Sequence, residues 1–219
     1  MKRIFEAIQT SPLLEGIDYD DFERMLSCLS VKTLHYQKDD MVLLSGSKVD
    51  FVGLIVSGSV KIFKEDQQGN TSMLTELSRS ESFGEVFACA GISQSPVSIQ
   101  ATDDTEVFYI DFRRIITTCT ATCPFHSRLI ENMLKLIAIK DLMLNQKIEI
   151  LSRRTTREKL LCYFDMQRGS ASEFTIPFNR EELAHYLCVD RSAMSNELGK
   201  MRDEGLISFH KNRFEILAN

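Results

Sequence analysis

Between Asn179 and Leu206 the chain reads NREELAHYLCVDRSAMSNELGKMRDEGL. Four side chains in it have chemistry suited to a base edge: Arg191, Ser192, Ser195 and Asn196. An arginine can grip guanine with two hydrogen bonds, an asparagine can do the same with adenine, and a serine can serve either. Their spacing puts them with Gly199 on one side of a helix. Met194, Leu198 and Met201 recur at intervals of four and three and must face the other way. A helix that merely faces water more often carries Glu, Lys and Arg on its outer side. This one carries an arginine followed by small polar groups, and such a surface can lie close in a major groove.

The elements around those residues have to hold them in place. Asp190 caps the helix, which runs to about Glu204 and stops at Gly205. An earlier helix begins at Asn179, with Glu182 three residues on as a capping-box acid, and Leu183, Ala184 and Leu187 form its apolar stripe. Cys188-Val189 reads as a tight apolar turn between the two. Leu206–Phe209, a turn at His210–Arg213 and a strand at Phe214–Leu217 follow. The alternative, an ordinary helical hairpin, leaves that basic-tipped β-hairpin unaccounted for. A helix-turn-helix with such a hairpin is a winged helix. Arg180, Lys200, Lys211 and Arg213 then add cations to the same expected DNA interface. His185, in the first of the two helices, is either a phosphate contact or simply exposed.

Other chemistry is scarce. There is no Gly-rich phosphate loop, nucleophile elbow, HExxH or Cys-x-x-Cys, and His35, His126, His185 and His210 are isolated. No enzymatic activity, cofactor or metal is expected. Six cysteines (Cys28, Cys89, Cys119, Cys123, Cys162 and Cys188) are scattered, as reduced thiols of a cytoplasmic protein would be. Cys119 and Cys123, four apart, make half a zinc site, and Pro124 separates them from His126. Inert thiols are the plainer reading; a thiol or metal redox sensor is the alternative.

The bulk numbers bound the rest. The chain has 219 residues and a net charge of −5. Residues 151–219 hold 11 Lys and Arg against 10 Asp and Glu, whereas residues 1–150 hold 15 against 21. The acidic excess therefore sits in front, and the back can present a local basic face. No apolar run is long enough to span a bilayer, and the start lacks the apolar core of a secretory signal.

Residues 1–30 read as helices broken near Pro12 and Gly16. From Val31 to Ile110 the texture is short strands: Phe51–Val56, Val60 and Ile62, Met73–Leu77, then Val97, Ile99 and Ala101, then Val107, Tyr109 and Asp111. Asp66–Asn70 is a hairpin loop. So many short strands at this spacing suggest a β-barrel or sandwich; Phe83–Gly91 is expected as a short helix inside it, with Phe83, Val86, Phe87 and Cys89 as core. After a helical Phe112–Ile116, a long helix runs from Phe125 to about Leu151 with apolar residues on more than one side. One side packs on its own domain and another on a second surface, most economically a second copy in a coiled coil; the alternative is burial within one chain. Ser152–Thr155 is a joint, and Thr155 with Glu158 opens a helix to about Gln167. The expected domains are 1–124, 125–151 and 152–219.

SGSVKIF, SFGEVFA and the segment around VDRSAMS, in this order of elements, resemble the Crp/Fnr family of bacterial transcription regulators over essentially the whole chain. The resemblance implies an α+β fold: an N-terminal cyclic-nucleotide-binding-like β-roll (a double-stranded β-helix), a long dimerisation helix and a C-terminal winged helix-turn-helix. It implies a homodimer on double-stranded DNA with a near-palindromic operator, an unknown small-molecule effector in the roll, and RNA polymerase as a partner. No membrane is involved. Arg191 matches the family's guanine-reading arginine. Ser192 stands where Glu is common and Asn196 where a basic reader is frequent, so a different half-site is expected.

Gly84 and Glu85 match the start of the family's phosphate cassette, in which the Glu accepts from a ribose hydroxyl. The cassette's phosphate-binding Arg and the Ser after it are replaced by Ser95-Pro96. A buried phosphate without a cation is costly, so Gly84, Glu85 and Ser95 mark an effector pocket that is not expected to take cyclic AMP. Where nucleotide-binding members offer hydroxyls on the long helix, this chain has Leu142-Met143. A regulatory module acting through a protein partner is the remaining alternative. It would need exposed aromatic or Met anchors on the outer side of 191–199, and the sequence has none there.

Overall fold

In the computed structural model, residues 1–65, 68, 71–117 and 124–217 are described. They form two compact units, Met1–Ile139 and Lys140–Asn219. The first opens with α1 (Lys2–Ile8), a short 3₁₀ turn (Pro12–Leu14) and α2 (Tyr19–Leu26). Eight strands follow: β1 (Val31–Tyr36), β2 (Met41–Leu43), β3 (Phe51–Ser57), β4 (Val60–Glu65), β5 (Thr71–Leu77), β6 (Ser82–Phe83), β7 (Ser98–Ala101) and β8 (Thr105–Asp111). Helix α3 (Glu85–Cys89) lies between β6 and β7, and α4 (Phe112–Ile116) follows β8. The strands make two antiparallel four-stranded sheets, ordered β1-β8-β3-β6 and β2-β7-β4-β5. This is the expected β-roll.

Strands β3 and β8 are buried on both faces, which is why their sequences run as near-continuous apolar stretches. Val52, Leu54, Val56, Phe108 and Ile110 face a layer made by α1, α2 and the start of a long helix α5 (Pro124–Ser152). Ile55, Val107 and Tyr109 face the inside of the roll, together with Leu43, Val60, Phe83 and Ile99. Phe83 lies flush on Gly53, where a Cβ would come within 2.4 Å of its ring. Val86 and Cys89 do not join this core: both are exposed, three residues apart on the side that α3 turns to solvent. Gly84 precedes α3 with φ +85, and a Cβ there would meet Phe51 O at 2.8 Å.

The early turns of α5 are fastened to the first unit. Leu129 and Met133 are buried in its core. Asn132 Nδ2 donates to Leu13 O and Glu15 O at 3.0 and 2.8 Å, and Arg128 Nη1 donates to Gly16 O at 2.8 Å. Farther on, α5 carries bare apolar side chains: Leu134 is 65% exposed, Leu142 62% and Ile148 56%. His126 is buried, and neither ring nitrogen has a hydrogen-bond partner among the described residues. Cys119 and Cys123 lie outside the described residues, as does most of the expected 66–70 loop.

In the second unit α6 (Thr156–Arg168) starts at the reciprocal capping box of Thr155 and Glu158. Strand β9 (Glu173–Thr175), α7 (Arg180–Leu187), α8 (Arg191–Asp203), β10 (Ile207–His210) and β11 (Arg213–Ile216) complete it. The three strands form a sheet ordered β10-β11-β9. The hairpin turn is tighter than the sequence suggests: only Lys211 and Asn212 lie between the strands, because His210 pairs with Arg213. Among the described residues no helix is long and apolar enough to cross a membrane.

Candidate nucleic-acid interface

Both motif helices begin where local cap chemistry dictates. Asn179 Oδ1 accepts from the Glu181 and Glu182 amides at 2.9 and 3.0 Å, and Glu182 Oε2 accepts from Asn179 N at 2.6 Å. Asp190 Oδ1 accepts from Ala193 N at 2.8 Å and from Ser192 Oγ at 2.5 Å. Between the helices, Cys188 takes the left-handed conformation (φ 50) and is exposed, so the turn is less apolar than its residues suggest. Two lysines satisfy the carbonyls at the end of α7: Lys147 Nζ donates to Tyr186 O from above the Tyr186 ring, and Lys159 Nζ donates to Leu187 O at 3.2 Å. Burial holds the Lys147 ammonium below the usual lysine range.

The inner side of α8 is a packed wall. Met194, Leu198 and Met201 are fully buried against Leu160, Phe164, Leu183, Leu187, Ile207 and Phe214. The outer side is bare: Arg191, Ser192, Ser195 and Asn196 are all exposed. A Cβ built on Gly199 would meet nothing within 4 Å. The chain's own packing does not require a glycine there.

One determinant of α8's placement escapes sequence reading. Arg157, at the second position of α6, donates through Nε to Glu197 Oε1 at 2.5 Å. Its Nη1 and Nη2 reach both oxygens of Glu204 at 2.7 and 2.8 Å. The two acids, Glu204 first, hold the guanidinium above its ordinary range. Glu197 lies on α8 and Glu204 caps its end seven residues on, which puts them on one side; that spacing is the signal the sequence offers.

The remaining expected interface residues differ in their freedom. Lys211 stands at the hairpin tip with φ 54. Arg180 lies over Phe209 and Phe214, 4.8 and 4.9 Å from the ring centres, and Nη1 is buried without a hydrogen-bond partner among the described residues. Burial lowers its pKa. Arg180, Lys211 and Asn212 share a groove of 510 Å³ with Asn179 and Glu182 at the start of α7. Lys200 is 3.8 Å from Glu197, and Arg213 Nε pairs with Glu173 at 2.5 Å. His185 is exposed.

In the roll, Glu85 and Ser95 are buried. The Ser95 hydroxyl donates to Val97 O at 2.7 Å, closing a local turn. Phe51, Phe83 and Tyr109 meet edge to face in the interior, and the Tyr109 and Tyr36 hydroxyls are 2.7 Å apart. Burial and that bond raise the Tyr109 phenol's pKa. Among the described residues, no group of three or more His, Cys, Asp or Glu is placed to hold a metal ion.

Residues 33–120 match a cyclic nucleotide-binding domain model, and residues 157–218 match a Crp-like helix-turn-helix domain model. The chain is 27% identical over 198 residues to the transcriptional activator protein FnrL of Cereibacter sphaeroides, covering 84% of this chain and 75% of that one. It is also similar to the Thermus thermophilus catabolite activator protein, at 21% identity and a TM-score of 0.55, over 94% of this chain and 93% of the other. The regulator CLP of Xanthomonas campestris gives 17% identity and a TM-score of 0.58, over 92% and 100%.

Proposed function

From the premise that this chain belongs to the Crp/Fnr family of transcription regulators and carries a DNA-binding helix-turn-helix, we propose that it acts as a homodimer on a near-palindromic operator and that its β-roll takes a signal other than cyclic AMP. The division of α8 carries the reading: Met194, Leu198 and Met201 are sealed inside, while Arg191, Ser195 and Asn196 are bare beside an open Gly199. A rod so divided can enter a major groove without displacing anything of its own chain. Arg180, Lys200, Lys211 and Arg213 flank it as backbone contacts, and RNA polymerase is the protein partner such a complex serves.

The seven-residue recurrences of α5 support the dimer. Leu134, Leu144 and Ile148 are exposed and fall at the spacings of a and d positions, whereas Ile130 and Ile137, in the same register, pack partly on the first unit's own core. The exposed three are where the seam of a two-stranded coil would run. Two α8 helices would then lie one helical turn of DNA apart, roughly 34 Å.

The β-roll has a cyclic-nucleotide-binding fold but not the donors for a cyclic phosphate. Ser95-Pro96 supplies no cation, Pro96 has no amide proton, and the Ser95 hydroxyl is already given to Val97 O. Gly84, Glu85 and Ser95 therefore border a site for a different small molecule.

The test uses the full-length protein. Duplexes selected from a random pool should contain two related half-sites, and binding in gel shift should fall steeply with salt. Sedimentation should give a dimer. Duplexes with a single unpaired half-site, or a monomer in the bound complex, would overturn the dimeric reading. Calorimetric titration with cyclic AMP and cyclic GMP should show no saturable heat; micromolar saturation by either would overturn the proposal for the roll.

A further inference from the structure

Ser192 occupies the second position of α8 on its exposed side. Its hydroxyl is not free to turn. Oγ donates to Asp190 Oδ1 at 2.5 Å, and the same carboxylate oxygen caps the helix by accepting from Ala193 N. An ionised carboxylate only accepts, so the serine's single proton must point at Asp190. The hydroxyl and the Ala193 amide, in that order, hold the Asp190 carboxyl below its usual range and keep it in that form. A hydrogen bond to a charged oxygen is also about twice as strong as a neutral one. Turning the proton outward would forfeit it.

Only lone pairs are left on the side of Ser192 that faces away from the protein. We propose that Ser192 is an acceptor-only reader, selecting an amino base (adenine through N6 or cytosine through N4) over a keto base on the strand it faces. A free serine hydroxyl would accept or donate and discriminate little. Asp190 is then a positioning residue that sets the polarity of its neighbour without touching DNA. The inference rests on reading α8 as the helix that enters the groove.

The experiment is selection from a random-sequence duplex pool with full-length wild type, Ser192→Ala and Ser192→Glu. Wild type should prefer A or C over G or T at one position of each half-site by roughly three- to tenfold. Ser192→Ala should lose that preference and keep the others. Ser192→Glu, whose side chain also only accepts, should keep it. Equal use of all four bases at every position where Ser192→Ala differs from wild type would overturn the assignment. So would a Ser192→Ala profile identical to wild type. If Ser192→Ala loses all binding, Ser192→Glu decides: retained amino preference sustains the inference and a keto or absent preference overturns it. No enriched sequence with wild type would instead sink the reading of α8 itself.

Discussion

Arg191 stands at the first position of α8, and among the described residues no carboxylate pairs with it. Arg3, Arg157 and Arg213, by contrast, are tied to acids of their own chain. A cation left unpaired can give its hydrogen bonds to a base at little cost. Arg191→Ala should therefore lose about 1–3 kcal/mol of discrimination at one base pair per half-site, measured by competition gel shift. Full retention of sequence preference would refute its role as a reader. Arg3 leads to a different prediction. It donates to both oxygens of the buried Glu106 at 2.8 and 2.6 Å, and this contact, before any other, holds the Glu106 carboxyl below the usual carboxylate range. A depressed carboxyl contributes stability above its unfolded pKa and loses it as pH falls through the folded value. Wild type should thus lose melting temperature faster than Glu106→Gln as pH falls below about 4.5; parallel losses would argue against the linkage. Residues whose chemistry is local were legible in advance: Asn179, Asp190 and Thr155 cap what they precede. Arg157 and Glu204 were not, since 47 positions separate partners that only tertiary packing brings together.

Helix α8 carries one residue whose type its own packing does not explain. A glycine in mid-helix costs about 0.5–1 kcal/mol relative to alanine, and the open space over Gly199 gives no internal reason for one. Gly199→Ala should raise the free protein's stability by about that amount and weaken its hold on DNA, because the added methyl points at the groove. Melting and gel shift on the same sample decide the matter; unchanged affinity would mean DNA never comes close to this turn. Periodicity made α8 readable because one side is buried and the other is not. Apolar composition alone misplaced α3, whose short stretch looks like core until Val86 and Cys89 are seen facing water. Five residues are too few for a helical period to say which side is which. The β10–β11 turn shrank to two residues because strand pairing continues to His210 and Arg213, both polar enough to resemble loop.

At the scale of the whole molecule, the bare apolar positions of α5 call for cover. Replacing Leu134 and Ile148 together by Glu should turn the proposed dimer into monomers in sedimentation and abolish tight operator binding, with little change in the melting of either unit, because both side chains are already exposed. A variant that stays dimeric would place the contact elsewhere. The apolar excess on α5 is visible in the letters, but which surface covers it is not, because a helical repeat records only that a side is apolar. The backbone at Lys211 lies in the left-handed region, where glycine would sit without strain and lysine does not. Heat-resistant mutants sought with no operator present should therefore include glycine at 211. Such a search, blind to DNA, would separate what the fold asks of the hairpin tip from what the proposed interface asks of it.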